Sequence, residues 1–388
     1  MKMLFIILLL SFIANHANAQ NAMWIYNSNG TVSTYNIAEI DSLNFTPNMI
    51  DMLLYQDGNN NNFSVSEIDS IIFKPAQDIE PSSIYVEFNN NGATVRHEVS
   101  SEDFIVNVDG ANVSIVNSSV ENLSYYLSGT TSDGSFTLES EVAYNIILDN
   151  IELTSTTTVP LNLSKNVERN IILANSSSNI LTDDTESDGK AVINTKGTTN
   201  ISGNGTLTIN ANKKHGISSD NDININGVTL NINHTADESK GLKSDCSISL
   251  TDSDVTIVSS GSLTLEELDL GYDPTYCTAI GADLNFEMNG GNLSITLPES
   301  NVAGRGIKVD GDITIFNGNV NIISHSGGDT YTNSDGEIDS YKSSCIKADG
   351  DIHLSSGVIT LEATGDAGKC VNADGAIYIG IENSDNDL

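Results

Sequence analysis

Two segments rich in acids and tyrosines carry the residues whose types and spacing predict chemistry most directly. In residues 324–344, oxygen-bearing side chains alternate around a glycine, at Asn333, Asp335, Glu337 and Asp339. Calcium loops present oxygen ligands in this way, although the helices and the twelfth-position glutamate of an EF-hand are missing. We therefore predict calcium ligands at Asp329, Asp335, Glu337 and Asp339.

The same two segments hold four tyrosines, whose rings can stack on sugar rings while their hydroxyls form hydrogen bonds. Tyr272 and Tyr276 belong to residues 259–278, and Tyr331 and Tyr341 belong to residues 324–344. Binding residues tend to gather on loops over a rigid scaffold. We predict that these four tyrosines bind carbohydrate. The alternative is that both segments are solvated surface loops with incidental acids.

A second set of acids lies in a repeated motif, which reads GIKVDGDITI from residue 306 and CIKADGDIHL from residue 345. Asp310 and Asp312 flank a glycine in the first copy, and Asp349 and Asp351 do so in the second. Paired acids in consecutive turns can offer oxygens to a hard cation, so these four are also predicted calcium ligands. The alternative is a self-neutralising ladder, because a lysine stands two residues before Asp310 and Asp349.

The motif recurs along the chain and predicts the scaffold. Its aligned aspartates are spaced by 25 to 39 residues, at Asp220, Asp245, Asp283, Asp310, Asp349 and Asp374. A period of this size is typical of stacked repeats, and alternating apolar residues indicate strands. We predict an all-β, right-handed parallel β-helix, a solenoid with three short strands per coil. Both insertions should then emerge on one edge, roughly 10 Å apart.

The front of the chain differs from the repeats. Residues 1–19 have the pattern of a secretory signal peptide, which predicts export to the periplasm, cell surface or medium without membrane insertion. Residues 20–75 contain a duplication, IAEIDSLNF and VSEIDSIIF, and predict a small β element. Residues 76–83 are a predicted linker, and residues 84–388 are the predicted β-helix domain.

The net charge limits the classes of molecule that the protein can bind, and the cysteines limit the possible disulfides. Asp and Glu number 52 against 16 Lys and Arg, a net charge of −36. This excludes nucleic acid, whose phosphates need basic patches, and an acidic polysaccharide would need a bridging divalent cation. Cys345 and Cys370 hold the same motif position and predict a candidate disulfide, whereas pairing of Cys246 with Cys277 stays open.

The chain resembles the calcium-binding parallel β-helix family of bacterial carbohydrate-binding domains, whose relatives bind cellulose-like and acidic plant-wall polymers. The matching stretches include SYYLSGTTSDGSF from residue 124, NIILDNIELTS from residue 145 and NIILANSSSNILTD from residue 170. The resemblance implies bound calcium and a polysaccharide ligand. We expect a secreted, non-catalytic binding protein. The alternatives are a calcium-dependent polysaccharide lyase, with Lys308 or Lys347 as base, and a structural or adhesive solenoid.

Overall fold

A computed structural model describes residues 22–28, 31–37, 40–56, 59–74, 82–90 and 92–380. Within these residues there are 37 strands and no α-helix, so the prediction of an all-β chain is confirmed. No helix that could cross a membrane occurs in this part of the chain. The predicted signal peptide, residues 1–19, and most of the predicted linker lie outside the described residues.

Short strands follow one another along the whole described chain. The first ten are β1 (Ala22–Asn27), β2 (Thr31–Asn36), β3 (Ile40–Phe45), β4 (Asp51–Gln56), β5 (Asn59–Ser64), β6 (Ile68–Lys74), β7 (Ser83–Asn89), β8 (Gly92–Arg96), β9 (Phe104–Asp109) and β10 (Asn112–Asn117). The next thirteen are β11 (Ser124–Thr131), β12 (Ser135–Ser140), β13 (Tyr144–Ser155), β14 (Leu161–Leu163), β15 (Arg169–Leu173), β16 (Ser178–Asp183), β17 (Ala191–Thr195), β18 (Thr199–Gly203), β19 (Thr206–Ala211), β20 (His215–Ser219), β21 (Ile223–Asn226), β22 (Thr229–His234) and β23 (Lys240–Ser244).

The remaining strands include four that form two hairpins. They are β24 (Ile248–Ser259), β25 (Thr264–Glu267), β26 (Tyr272–Thr275), β27 (Thr278–Ala282), β28 (Phe286–Leu297), β29 (Arg305–Val309), β30 (Ile313–Ser324), β31 (Asp329–Thr332), β32 (Ile338–Tyr341), β33 (Ser344–Ala348), β34 (Ile352–Leu354), β35 (Val358–Ala363), β36 (Lys369–Ala373) and β37 (Ile377–Ile379). We call β25–β26 hairpin 1 and β31–β32 hairpin 2.

Two large sheets contain most of these strands. Sheet A has 19 strands, and sheet B has 11 strands in the order β36-β33-β29-β27-β23-β20-β17-β14-β12-β10-β9. Strands β3, β4 and β5 form a small antiparallel sheet. Strand β2 pairs with β8, so part of the predicted 20–75 element belongs to sheet A. The boundaries of that element stay a prediction.

The pairing within sheet A corrects the predicted fold. Eight strands close into a ring of parallel pairs, in the order β13, β15, β18, β21, β24, β22, β19, β16 and back to β13. In its strand pairing this part is a closed eight-stranded parallel barrel with the other strands outside it. The prediction of an open right-handed β-helix solenoid with three short strands per coil is therefore wrong.

The physical reason for the closure is the length of two strands. Strands β13 and β24 each continue for 12 residues through a position where the repeat pattern predicted a turn. Strand β13 therefore pairs with both β15 and β16, and β24 pairs with both β21 and β22. The two rows of shorter strands are thus joined at both ends. Antiparallel pairs, such as β7 with β8 and β9 with β10, also depart from the purely parallel arrangement that was predicted.

The repeated motif nevertheless stacks in register in sheet B. Ile280 pairs with Ile307, and Ile307 pairs with Ile346, each through parallel strands. All three side chains are fully buried, in one hydrophobic core that sheets A and B share. The repeat spacing thus sets which side chains meet, because every residue in a parallel ladder lies beside the residue at its own motif position.

The cysteines are free thiols in this structure, so the candidate disulfide stays a prediction. Cys345 lies between Ser344 and Ile346, which pair with the two residues flanking Cys370, so the two cysteines occupy matching positions on neighbouring strands. Cys345 is buried and Cys370 is exposed. Burial raises the pKa of the Cys345 thiol to about 12.

We predict that Ile280→Ala lowers the free energy of unfolding by about 2–5 kcal/mol, because it leaves a cavity in the shared core. The control is Leu284→Ala, since the Leu284 side chain is 51% exposed and should cost less than about 1 kcal/mol. Urea unfolding followed by circular dichroism measures both. Equal losses for the two variants would contradict this description of the core.

Candidate functional site

The two hairpins stand side by side. Hairpin 1 leaves the chain between β24 and β27, and hairpin 2 leaves it between β30 and β33. Each therefore joins sheet A to a strand of sheet B, at the edge that the insertions predicted. An isolated bridge connects Tyr272 with Asn333, and a Cβ at Gly271 would lie 2.0 Å from the Asn333 carbonyl oxygen. Only glycine permits this close approach of the two hairpins.

One face of hairpin 2 collects four predicted site residues. Asp329 pairs with Tyr341, and Tyr331 pairs with Asp339, so alternation places all four side chains on the same face. The rings of Tyr331 and Tyr341 have centroids 6.0 Å apart. The Tyr331 hydroxyl lies 3.5 Å from an Asp339 carboxylate oxygen, as donor to it. Hairpin 2 therefore presents two aromatic rings beside two carboxylates.

A cleft of about 680 Å³ lies beside hairpin 2. Its walls are the turns that follow β28, β30 and β35, at residues 299–302, 325–328 and 364–366, and hairpin 2 contributes Asp329 and Tyr341. The turns are joined by backbone hydrogen bonds of 2.8 Å, from Ala303 to the carbonyl oxygen of Gly327 and from Gly328 to that of Asp366. The cleft is thus built on stacked backbone.

The cleft wall is polar and carries negative charge. Besides Asp329 and Tyr341 it presents Glu299, His325, Thr364 and Asp366. The Nδ1 atom of His325 lies 2.7 Å from the Thr364 hydroxyl, which fixes both side chains relative to each other. None of the residues that line the cleft is lysine or arginine. Such a lining suits groups that donate hydrogen bonds, such as sugar hydroxyls.

Asn301 anchors the cleft from below. Its side chain is fully buried, and its amide donates to the carbonyl oxygens of Gly261 at 2.5 Å and Ser259 at 3.1 Å. Its own amide oxygen accepts a hydrogen bond from the Ser326 hydroxyl at 3.0 Å. This one side chain therefore ties three successive turns together beneath the cleft.

A buried polar cluster continues from Ser259 into the protein. The Cys277 thiol contacts the hydroxyls of Ser259 at 3.4 Å and Ser239 at 3.5 Å, and the Ser239 hydroxyl lies 2.6 Å from His234 Nδ1. His234 is fully buried, and burial lowers its pKa to about 3. Cys277 is buried as well, so no substrate reaches this thiol. The cluster supports the bases of the turns.

Tyr272 and Tyr276, the two tyrosines predicted to bind carbohydrate at hairpin 1, contact other parts of the protein. The Arg305 guanidinium carbon lies 3.3 Å from the centroid of the Tyr276 ring, so this ring packs against sheet B. Burial lowers the pKa of Arg305, and the neighbouring Tyr276 opposes that shift. Tyr272 is 39% exposed, and its backbone forms the bridge between the hairpins. The cleft receives neither ring.

The predicted calcium ligands at the tip of hairpin 2 do not converge through their side chains. The amide oxygen of Asn333 accepts hydrogen bonds from the backbone N–H groups of Asp335 and Glu337, both at 3.0 Å. The carboxylates of Asp335 and Glu337 are exposed. In the described part of the chain, no three His, Cys, Asp or Glu side chains gather as metal ligands.

The predicted ligands in the repeats have partners within the protein. Lys308 contacts Asp310 and lies 3.2 Å from Asp349, and Lys347 lies 2.8 Å from Asp349. Burial disfavours the charged form of Asp349, but hydrogen bonds from Lys347 and Lys308 outweigh it, so its pKa is lowered. A second column of acids caps turns. Asp312 accepts the N–H of Asp351 at 2.7 Å, and Asp351 accepts that of Ala376 at 2.7 Å.

Four cleft residues had no place in the sequence prediction, namely Glu299, His325, Thr364 and Asp366. They lie in the turns that follow β28, β30 and β35. The repeated motif does not include these turn positions, so it did not predict them. A Cβ at Gly365 would lie 2.1 Å from the Ser326 carbonyl oxygen, so glycine allows these turns to stack. That stacking of turns brings the four residues together.

We predict that His234 makes the protein less stable in acid. Its pKa is about 3 when folded, against an ordinary value of 6.5, so the unfolded chain binds the extra proton between these values. The contribution of the neutral, buried His234 to the free energy of unfolding is complete above pH 6.5. It falls by about 1.4 kcal/mol per pH unit below that value. Urea unfolding of the wild type and His234→Gln from pH 7 to pH 4.5 measures this difference.

The exposed His325, changed to Gln, is the control for that experiment. The free-energy difference between wild type and His234→Gln should shrink as the pH falls. Any change with pH that both variants share is not assigned to His234. A difference for His234→Gln that is constant across the range would show that His234 is not held neutral by burial.

Comparison with known proteins identifies the family. A family model described as carbohydrate-binding domain-containing protein matches residues 109–383. A carbohydrate-binding domain-containing protein of Acetivibrio thermocellus is 32% identical over 137 residues, which cover 32% of this chain and 48% of that protein. The chain thus matches about half the length of this relative.

One solved structure also aligns with the chain. It is a gadolinium derivative of a polysaccharide lyase-like protein from C. thermocellum, with a TM-score of 0.49 and 19% identity, and the alignment covers 77% of this chain and 99% of that one. The family match extends over more than half of the 388 residues and includes both hairpins and the whole cleft wall. The chain belongs to the family of carbohydrate-binding domain-containing proteins.

Proposed function

We propose that the protein binds a polysaccharide in the cleft beside hairpin 2 and does not cleave it. The observation that carries this proposal is the position of Tyr341 and Asp329 on the wall of a cleft of about 680 Å³. A family of carbohydrate-binding domain-containing proteins implies a polysaccharide partner. An aromatic ring and several polar groups converge at this cleft.

The chemistry of the wall supports a sugar ligand. The Tyr341 ring offers a flat apolar surface to the C–H face of a pyranose, and its hydroxyl offers a hydrogen bond. The carboxylates of Glu299, Asp329 and Asp366 accept hydrogen bonds from sugar hydroxyls, and hydrogen bonds to charged acceptors are the stronger kind. A neutral, cellulose-like plant-wall chain satisfies this cleft without further charge compensation.

Calcium is a second part of the proposal, taken from the resemblance. Calcium accepts six to eight oxygens, including backbone carbonyls and ligand hydroxyls, so two carboxylates can suffice when other oxygens complete the shell. Asp329 on the cleft wall and Asp335 at the hairpin tip are two of the predicted calcium ligands with exposed side chains. A bound calcium would also let an acidic glycan approach these carboxylates.

The contacts of the two lysines that were predicted as lyase bases favour binding without catalysis. A lyase base must lose its proton near neutral pH. Lys308 and Lys347 instead form ion pairs within the protein, at 3.2 Å and 2.8 Å from Asp349, so both side chains are engaged in contacts of the ladder. We also propose that the protein acts outside the cytoplasm, since residues 1–19 have the pattern of a signal peptide.

We predict that Tyr341→Ala weakens retention on the preferred glycan by about tenfold, because the lost stacking surface corresponds to about 1.4 kcal/mol. Asp329→Asn should weaken retention to a similar degree. Affinity electrophoresis of the full chain against cellulose derivatives, xylan and polygalacturonate, each with calcium and with EGTA, measures this. Tyr55→Ala, in the small antiparallel sheet, is the matched control.

Comparison of the calcium buffer with the EGTA buffer tests calcium binding separately from glycan binding. Retention that is lost in EGTA would support calcium at the site, and equal retention in both buffers would remove calcium from the proposal. No retention of the wild type on any glycan, or equal retention of wild type and Tyr341→Ala, would contradict the assignment of the cleft. New unsaturated sugar ends, seen by ultraviolet absorbance, would contradict binding without cleavage.

A further inference from the structure

Sheet B carries a row of lysines on its outward face. Lys243, Lys308 and Lys347 occupy the same motif position on β23, β29 and β33, each two residues before an aspartate. Strand β27 lies between β23 and β29 and interrupts this row, because it has Gly281 at the lysine position. The aspartate on that strand, Asp283, therefore has no lysine two residues before it.

Lys240 occupies the space that Gly281 leaves. It belongs to the neighbouring strand β23, and its side chain crosses over β27. A Cβ at Gly281 would lie 2.9 Å from Lys240 Cδ, 3.2 Å from Cε and 3.5 Å from Nζ. The Lys240 ammonium group thus stands in the gap of the row, between Lys243 on one side and Lys308 on the other.

Lys240 differs from its neighbours because no carboxylate lies within ion-pair distance of its ammonium group. Lys243 forms an ion pair with Asp245, and Lys308 forms ion pairs with Asp310 and Asp349. Among the described residues, Lys240 makes neither an ion pair nor a side-chain hydrogen bond. Burial and then the charge of Lys243 lower its pKa, and Asp283 opposes this only in part. An anion at this point would compensate the charge that the protein leaves open.

We propose that Lys240 is an anion-binding residue, which takes the carboxylate or sulfate group of an acidic sugar on the outward face of sheet B. The site rests on the proposed polysaccharide-binding function but not on the cleft or on calcium. Lys243 and Lys308 flank the anion, and the Lys240 side chain lies over Gly281 beneath it. On a chain with a net charge of −36, Lys240 is the lysine in this row whose ammonium group no carboxylate approaches within ion-pair distance.

The proposed site is continuous with the hairpins. Lys240 pairs in register with Thr278, which pairs with Arg305, and Arg305 packs on the ring of Tyr276 at the base of hairpin 1. A glycan chain that contacts the hairpins can therefore extend across sheet B to the lysine row. Lys240 would then select for charged sugar units.

The test is isothermal titration of the full chain with short oligogalacturonates, in EGTA to prevent bridging by calcium. The fully methyl-esterified oligomer of the same length is the matched ligand, because it keeps the sugars and removes the charge. A sulfated galactan oligomer separates sulfate from carboxylate recognition. We expect Lys240→Met to weaken binding of a charged oligomer at least fivefold and to leave binding of the methyl ester unchanged.

Three further variants keep the result interpretable. Lys240→Arg should retain most of the affinity, and Gly281→Ala should reduce it by displacing the lysine side chain. Lys196→Met removes one positive charge from an exposed position elsewhere and should have no effect. Equal affinity of wild type and Lys240→Met for the charged oligomers, or equal losses in Lys240→Met and Lys196→Met, would overturn the proposal.

The outcomes also distinguish this site from the proposed function. If the methyl ester and neutral oligomers bind but charged oligomers bind no more tightly, the Lys240 site is wrong and polysaccharide binding stands. If no charged oligomer binds the wild type in EGTA, the Lys240 site is overturned, and polysaccharide binding is then decided separately by retention on the glycans in the calcium buffer.

Discussion

Parallel hydrogen bonding between successive repeats is the constraint on which the rest of this structure depends. From β12 to β33, the strands of sheet B pair in parallel with a strand on either side, and Ile280, Ile307 and Ile346 stack inside the shared core. A residue inserted within a strand would move every following side chain to the opposite face. Additional residues are therefore accommodated only between strands, which is where both hairpins leave the chain.

The candidate site follows from this constraint. Turns that follow equivalent strands must stack on one another, so Asn301, Ser326 and Gly365 come together although they are far apart in sequence. Hairpin 2 lies beside these stacked turns and provides the aromatic face. The site is rigid at its base, where hydrogen bonds to backbone hold the turns, and its ligand-facing groups are carried on exposed strands.

Many aspartates of the repeated motif have partners at equivalent positions in successive repeats. Aspartates in the motif pair with lysines or accept backbone N–H groups of the next repeat, as Asp349 and Asp312 do. Such acids support the turns and are less available to a metal ion. Where the pattern is interrupted, at Gly281, the charge of Lys240 is left open. Departures from the repeat, rather than the repeat itself, thus carry the candidate chemistry.

The sequence by itself determined the all-β class, the register of the motif copies and the edge on which the hairpins emerge, because strand alternation and repeat spacing are local properties. It also predicted Asp329 as a calcium ligand and Tyr341 as a carbohydrate-binding residue, and both line the cleft. Only the tertiary structure decided that β13 and β24 close sheet A into a ring, that Tyr276 packs on Arg305, and that Glu299, His325 and Asp366 line one cleft. These outcomes depend on contacts between residues distant in sequence, which no local pattern encodes.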